Sequence, residues 1–253
     1  MVGIYFSGTG NTEHCVKKLV SLLDGAADCC AMESEGAEGA MEANEFIVFG
    51  YPTQYSNAPL FVRDFIKSHG QLWRGKKILC MATMGLFSGD GAGCSARLFR
   101  KYGAEVVGGL HIHMPDAVCD SKALKKSLEE NRKIVLAADQ KLERAAAGIG
   151  AGVYPQEGLN FWYHMAGLFG QRLWFYGKTQ HYSDRLKING DCVGCGMCAG
   201  LCPMKNIRMV DGRPVPGGHC TMCYRCISSC PKQAITLLGK TVQEQCRYEK
   251  YKP

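Results

Sequence analysis

The chain has 253 residues, 46% of them hydrophobic and 21% charged, enough for a substantial core and two domains and far from collagen-like or disordered composition. Its formal charge of +7 lies wholly in the last 103 residues: 17 basic and 17 acidic residues balance up to residue 150, and 13 basic stand against 6 acidic after it. Eight of the fifteen cysteines fall between Cys192 and Cys230, so charge and sulfur are concentrated together and call for chemistry rather than a secreted disulfide scaffold.

Met1 is followed directly by the strand-like Val2 to Phe6, with no basic n-region and no long apolar h-region. A cytoplasmic, reducing location is the expectation, and closely spaced cysteines there read as metal ligands. Up to about residue 147, β-rich runs alternate with helical stretches, the pattern of βαβ units around a parallel sheet. The clear runs are Val2 to Phe6, Glu45 to Gly50, Lys77 to Thr83 and Ala104 to Met114, and Asp28 to Met32 makes a weaker fifth. Helical stretches follow at Thr12 to Leu23, after Asn57-Ala58-Pro59, and at Cys94 to Tyr102. The half closes with Ser121 to Ala147, where Leu124, Leu128, Val135 and Leu142 mark one face and Gly148 is a stop signal.

Residues 148–185 form a connector. A glycine-rich break precedes Tyr154 to Tyr182, which holds nine of the 24 aromatic residues. Leu159 to Tyr176 spans 18 residues and contains Asn160, His164, Gln171 and Arg172, so it is too short and too polar for a transmembrane helix. Two readings stay open: an amphipathic helix on a membrane surface or partner, and an interdomain helix packing both halves together, the preferred one.

Residues 186–253 contain an internal repeat. Cys192-Val-Gly-Cys195-Gly-Met-Cys198-Ala-Gly-Leu-Cys202-Pro203 overlays Cys220-Thr-Met-Cys223-Tyr-Arg-Cys226-Ile-Ser-Ser-Cys230-Pro231 at an offset of 28, and Ile207 falls on Ile235. Three cysteines at three-residue spacing wrap one iron–sulfur cubane, while the fourth, beyond that loop, reaches the other cluster. The rule assigns Cys192, Cys195, Cys198 and Cys230 to one site and Cys220, Cys223, Cys226 and Cys202 to the other. Paired zinc sites need only separated pairs of thiolates, and the two continuous runs with trailing prolines argue against them. This segment resembles the bacterial two-cluster ferredoxins over residues 186–239, which implies two [4Fe-4S] clusters. It departs from their usual acidity with Lys187, Lys205, Arg208, Arg213, Arg225 and Lys232, read as compensation for cluster charge, as a face for an acidic redox partner, or as solvated surface. The other seven cysteines have no metal-like spacing.

The first strand runs into Ser7-Gly8-Thr9-Gly10-Asn11-Thr12, whose glycines, hydroxyls and helix-start N–H groups suit a phosphate. It has no P-loop lysine, and Glu13 stands where a dinucleotide fingerprint needs its third glycine. In this place, before a five-unit α/β pattern, the loop resembles that of the flavodoxins, and the likeness in element order covers residues 1–147. The resemblance implies a five-stranded parallel sheet of order 2-1-3-4-5 with helices on both faces. It also implies FMN, with the phosphate on Ser7 to Thr12 and the ring between the loops after the third and fourth strands. Residues Pro52, Thr53, Gln54, Tyr55, Thr83, Met84, Gly85, Phe87, Gly89 and Asp90 are expected around that ring, with Tyr51 or Tyr55 and Phe87 as stacking candidates. The loop Tyr51 to Asn57 lacks the glycine common in that family, which favours two-electron use of the flavin. His111 and His113 alternate on the fifth strand and read as core or surface histidines.

The whole chain resembles the flavodoxin–ferredoxin fusion proteins. Such a protein passes electrons between FMN, two clusters and a redox partner such as reduced ferredoxin; reduction of a small molecule at the flavin is the alternative. Two oxidised cubanes remove roughly four units of charge and a flavin phosphate up to about two more, so the basicity gives no reason to expect nucleic acid as a partner.

Overall fold

The computed structural model describes residues 1–175 and 185–253. Five strands, β1 (Val2–Tyr5), β2 (Cys29–Ala31), β3 (Phe46–Pro52), β4 (Lys77–Met84) and β5 (Glu105–His113), form one parallel sheet in the order β2-β1-β3-β4-β5. Buried on both faces, they read as near-continuous apolar runs, and the register pairs Val2 with Ile47 and Ile47 with Ile78. This is the flavodoxin-like doubly wound fold, which opens its crevice where the strand order reverses. Helices α1 (Asn11–Leu23) and α5 (Leu128–Gly150) cover one face. The other carries α2 (Ala37–Ala43), α3 (Leu60–Ser68) and α4 (Gly91–Lys101), closed by Phe49, Trp73 and Phe99 in edge-to-face contact.

Helix α5 departs from the expected Ser121 to Ala147. It starts at Leu128 because Ser127 and Glu130 form a reciprocal capping box, a Ser-x-x-Glu signal that is visible in the sequence, and it runs through Gly148 to Gly150. Its buried face is Val135, Ala138, Leu142, Ala146 and Ile149; Leu128 is exposed, and Leu124 lies in a separate 3₁₀ turn.

The connector contains α6 (Phe161–Gly167), which continues as a π-helical turn to Arg172. Among the described residues its polar contacts go to the first half: Arg172 and His164 reach the buried carboxylate of Asp90 at 2.7 and 2.9 Å, and Ser56 donates to Gln171 at 2.7 Å. Its outer face leaves Phe161, Trp162, Phe169, Leu173 and Trp174 57–77% exposed. The connector beyond residue 175, including Tyr176 and Tyr182, lies outside the described residues up to residue 184. No described helix is long and apolar enough to cross a membrane.

The C-terminal part is built on the sequence repeat. Strand β6 (Lys187–Ile188) pairs antiparallel with β9 (Ile235–Thr236), and β7 (Ile207–Val210) with β8 (Arg213–Pro216). Helices α7 (Met197–Leu201) and α8 (Arg225–Ser229) sit at the same offset of 28 as the cysteines. The left-handed residues repeat with them: Gly194 with Met222, Gly196 with Tyr224, and Lys205 with Gln233. A short helix, α9 (Tyr248–Tyr251), ends the chain.

The two parts share a core, in which Leu186, Ile227, Ile235, Leu237 and Tyr251 join the cluster of Leu19, Met114, Val135 and Leu142. Asp120, 4% exposed, is its polar clamp. Its Oδ2 accepts the N–H groups of Leu237, Leu238 and Gly239 at 2.6, 2.8 and 3.0 Å, and its Oδ1 accepts the Tyr224 hydroxyl at 3.0 Å. Burial pushes this carboxyl up, but those donors outweigh burial and hold it below the usual carboxylate range. A lowered native pKa means that the unfolded chain binds the proton first, so the stabilisation is complete above about pH 4 and is lost as pH falls through the native value. Asp120→Ala is therefore expected to cost about 3 kcal/mol at pH 7 in urea denaturation, and the deficit is expected to shrink below about pH 4.

Candidate functional site

The carboxyl ends of β1, β3, β4 and β5 open into a cavity of about 300 Å³, the lower end of ligand-pocket size. The first wall is the turn from β1 into α1. Gly10, left-handed at φ 91°, lets the chain enter the helix and donates to Ser7 Oγ at 3.1 Å. Ser7, Gly8, Thr9, Asn11 and Thr12 line the cavity beside the unpaired N–H groups of the first helical turn; Gly10 faces away. Thr12 and Thr83 share a hydrogen bond of 2.7 Å across the sheet ends. Asn11 donates to the Pro115 carbonyl at 2.7 Å, and its buried Oδ1 is left without a partner. An unpaired buried acceptor costs about 1–3 kcal/mol, which a donor on a bound molecule would relieve.

The second wall is the loop after β3. Pro52, Thr53, Gln54 and Tyr55 line the cavity. Tyr51 does not: β3 extends through it, so its ring is fully buried among Phe49 and its neighbours and its hydroxyl donates to the Gly91 carbonyl. Tyr55 and Ser56 both have left-handed backbones, at φ 49° and 58°, although neither is glycine. Tyr55 stacks on Phe175 with ring centroids 4.7 Å apart.

The third wall is the loop after β4. Thr83, Met84, Gly85 and Phe87 line the cavity, and Phe87 is 45% exposed at its mouth. Gly89 and Asp90 lie outside it. Gly89 abuts Gly167 of the connector, and Asp90 is fully buried between Arg97, Arg172 and His164. It thus anchors the connector. The thiol of Cys94 sits in the same cluster, 3.2 Å from Arg172. His111 bonds Ser88 and Ala92 and burial lowers its pKa to about 4, so it is neutral, while His113 is exposed and bonds the Gly85 carbonyl; the two share no site.

Sequence reasoning missed three contributors. The loop after β5, Met114 to Val118, was open to the same strand-end rule. Its Asp116 faces the cavity with a carboxyl pushed up by burial. Leu124 and Gln171 join from the segments on either side of α5. The last is the second cysteine run, since Met222, Cys223 and Tyr224 form a wall of the cavity. Gln54 donates to the carbonyls of Thr221 and Met222 at 2.6 and 3.2 Å, Arg225 donates to the Ser7 carbonyl at 2.8 Å and lies over the Phe6 ring, and Tyr248 N–H donates to the Thr9 carbonyl at 2.8 Å.

The eight cysteines fall into two groups. Cys192, Cys195, Cys198 and Cys230 line one small cavity, and Cys202, Cys220, Cys223 and Cys226 line another, so each loop of three has the distant fourth thiol of the other run beside it. Backbone N–H groups of Asn206, Met222 and Ala234 point at Cys202, Cys220 and Cys230 at 3.3–3.4 Å. Among the described residues no three metal-ligating side chains converge as they would on a single ion. In a cubane each thiolate binds a different iron, so its four sulfurs stand farther apart than ligands of one ion.

No family model and no curated protein matches the chain. Solved flavodoxin structures align with its first part. The two-electron reduced flavodoxin of Megasphaera elsdenii is 23% identical with a TM-score of 0.42, covering 58% of this chain and 98% of that one. The oxidised flavodoxin 2 of Bacillus cereus is 21% identical with a TM-score of 0.42, over 60% and 97%. A flavodoxin from the domain Archaea is 14% identical with a TM-score of 0.41, over 59% and 97%.

Gly8 shows how closely the two parts meet, since a Cβ there would stand 1.8 Å from the Cys223 carbonyl oxygen. Gly8→Ala is expected to push the Cys220–Cys226 loop off the cavity. Hydrogen exchange should rise in residues 220–226 and 246–251 and stay unchanged in β3 and β4.

Proposed function

We propose that the chain is an electron-transfer flavoprotein, with FMN in the cavity at the strand ends and a [4Fe-4S] cluster in each cysteine quartet of a ferredoxin-like C-terminal domain. The observation that carries this reading is that the Cys220–Cys226 loop is itself a wall of the cavity. A ligand loop for one group thereby borders the site of the other.

The residues fit both groups. The hydroxyls of Ser7, Thr9 and Thr12 and the free N–H groups at the start of α1 suit a phosphate, and Arg225 holds the turn through the Ser7 carbonyl. Asn11 Oδ1 can accept from a ribityl hydroxyl. Tyr55 and Phe87 offer aromatic surface at the mouth. All-thiolate quartets with N–H···S bonds suit iron–sulfur clusters and tune their potential. When bound, FMN exchanges one or two electrons and each cluster one, which converts between pair and single-electron chemistry.

The chain also orders the quartets. Cys223 borders the flavin cavity, whereas Cys195, of the other quartet, is exposed to solvent. Asp116 favours a second reading, reduction of a small acceptor such as a quinone, because it sets an ionisable carboxyl, pushed up by burial, against the cavity.

Anaerobically reconstituted protein is expected to hold one FMN and about eight iron atoms per chain. Cys195→Ala should lose about half the iron and keep the flavin absorption band unchanged, whereas Cys223→Ala should also perturb that band. A chain with neither iron nor flavin overturns the proposal. Steady turnover of benzoquinone would establish the second reading.

A further inference from the structure

Most basic residues of the cysteine-bearing segment, residues 186–239, are not used to balance acids within the described chain. Lys187, Lys205, Arg208, Arg213 and Lys232 are all exposed, and none makes an ion pair among the described residues. Residues 186–239 contain only two acidic side chains, Asp191 and Asp211. In the first half acids are as numerous as bases, and Lys17, Lys18, Lys67, Lys133 and Lys141 each reach a carboxylate. Arg225, the sixth basic residue of the segment, pairs inward with Glu33 and Ser7.

Two of the unpaired cations stand at the outward cysteine loop. Lys232 borders the cavity of Cys192, Cys195, Cys198 and Cys230, and Arg213 lies 3.5 Å from the Cys192 carbonyl oxygen. Between them the surface is apolar, with Val193 62% and Met197 44% exposed. An apolar centre over a ligand loop with a basic rim matches a small negatively charged protein: the centre excludes water at the point of closest approach, and the rim steers encounter. A rim serving only to offset cluster charge has no need of exposed Val193 and Met197.

We propose that this face, centred on Cys195 and rimmed by Arg213 and Lys232, docks an acidic one-electron carrier protein. Resting on the electron-transfer reading above, it makes the Cys192–Cys198 loop the port and the Cys220–Cys226 loop the inner relay. One electron would leave the reduced carrier and enter the [4Fe-4S] cluster that the quartet around Cys195 would hold, with no proton or bond exchanged at the port.

The test uses a small acidic [4Fe-4S] ferredoxin, reduced anaerobically, as probe. Iron and flavin content of the wild type and of the Arg213→Glu/Lys232→Glu double variant are measured first. Stopped-flow mixing at low ionic strength is expected to show a second-order rate constant about tenfold lower in the double variant, with the wild-type rate falling as salt is added and the variant rate nearly flat. Independently of electron transfer, carbodiimide cross-links from ferredoxin carboxylates should map by mass spectrometry to Lys232 and Lys187. Absence of iron and flavin from the wild-type chain overturns the electron-transfer reading and the port with it. Full iron and flavin with an unchanged rate in the double variant, or cross-links confined to lysines of the sheet half such as Lys76 and Lys101, overturns the port alone. A variant whose cluster potential shifts while rate and cross-links hold shows the rim to be charge compensation, which also overturns it.

Discussion

One carboxylate holds the two parts of this molecule in working order. Asp120 stands where the chain leaves the sheet after β5, and it gathers three successive backbone N–H groups of residues 237–239 and the phenol of Tyr224. Hydrogen bonds to a charged acceptor are worth more than neutral ones, and a buried carboxylate is tolerable only when its lone pairs are filled this fully. Their geometric effect is larger still. The three N–H groups set where the C-terminal sheet sits, and Tyr224 sets where the second cysteine loop sits. Gly8 then allows that loop to close on the turn after β1, with backbone against backbone.

The internal repeat gains its meaning from this seat. The two copies wind alike, with left-handed residues at matching positions, yet the first uses Gly194 and Gly196 and the second Met222 and Tyr224. A left-handed backbone costs a non-glycine residue about 1–2 kcal/mol. Copy one avoids the cost at these two positions and faces solvent. Copy two bears it at both positions, and at both the side chain enters the cavity wall, Tyr224 with its hydroxyl already held by Asp120. Strain kept by a surrounding structure that over-determines it is a mark of a working site. One backbone design thus has an outward and an inward form.

Much of this was legible from residue order. The alternation of apolar runs foretold the five-stranded parallel sheet, the resemblance of the first turn to the flavodoxin loop implied its strand order, and the lining residues Ser7 to Thr12, Pro52 to Tyr55 and Thr83 to Phe87 follow from strand-end positions, Gly10 apart. What escaped has identifiable causes. Tyr51 looked like loop because Pro52 follows it, but a proline at the end of a strand needs no ladder donor and β3 runs on. Asp90 looked like a cavity residue from its place after β4, and the cations that draw it away, Arg172 and His164, come from the connector. The aromatic connector gave no sign of which face would be covered, since its Phe and Trp residues are spread around the helix. Contacts between distant segments, such as Arg225 with Ser7 or Tyr248 with Thr9, have no periodicity or spacing to announce them.

The same distance in sequence explains how the turn after β1 is braced. Its own residues, Ser7 to Thr12, include no lysine or arginine. The cation beside it comes from residue 225, held by Glu33 at the edge of the sheet half and by the Ser7 carbonyl. The excess of base in the last third of the chain is therefore divided by direction. Arg225 points inward and completes the turn after β1, while Arg213 and Lys232 point outward with no acid to meet them. Half of the six cations of the segment thus fall into two local arrangements, one at each cysteine loop. Seating the second loop against the sheet half separates them, because burying one copy of the repeat leaves the other copy as the exposed one.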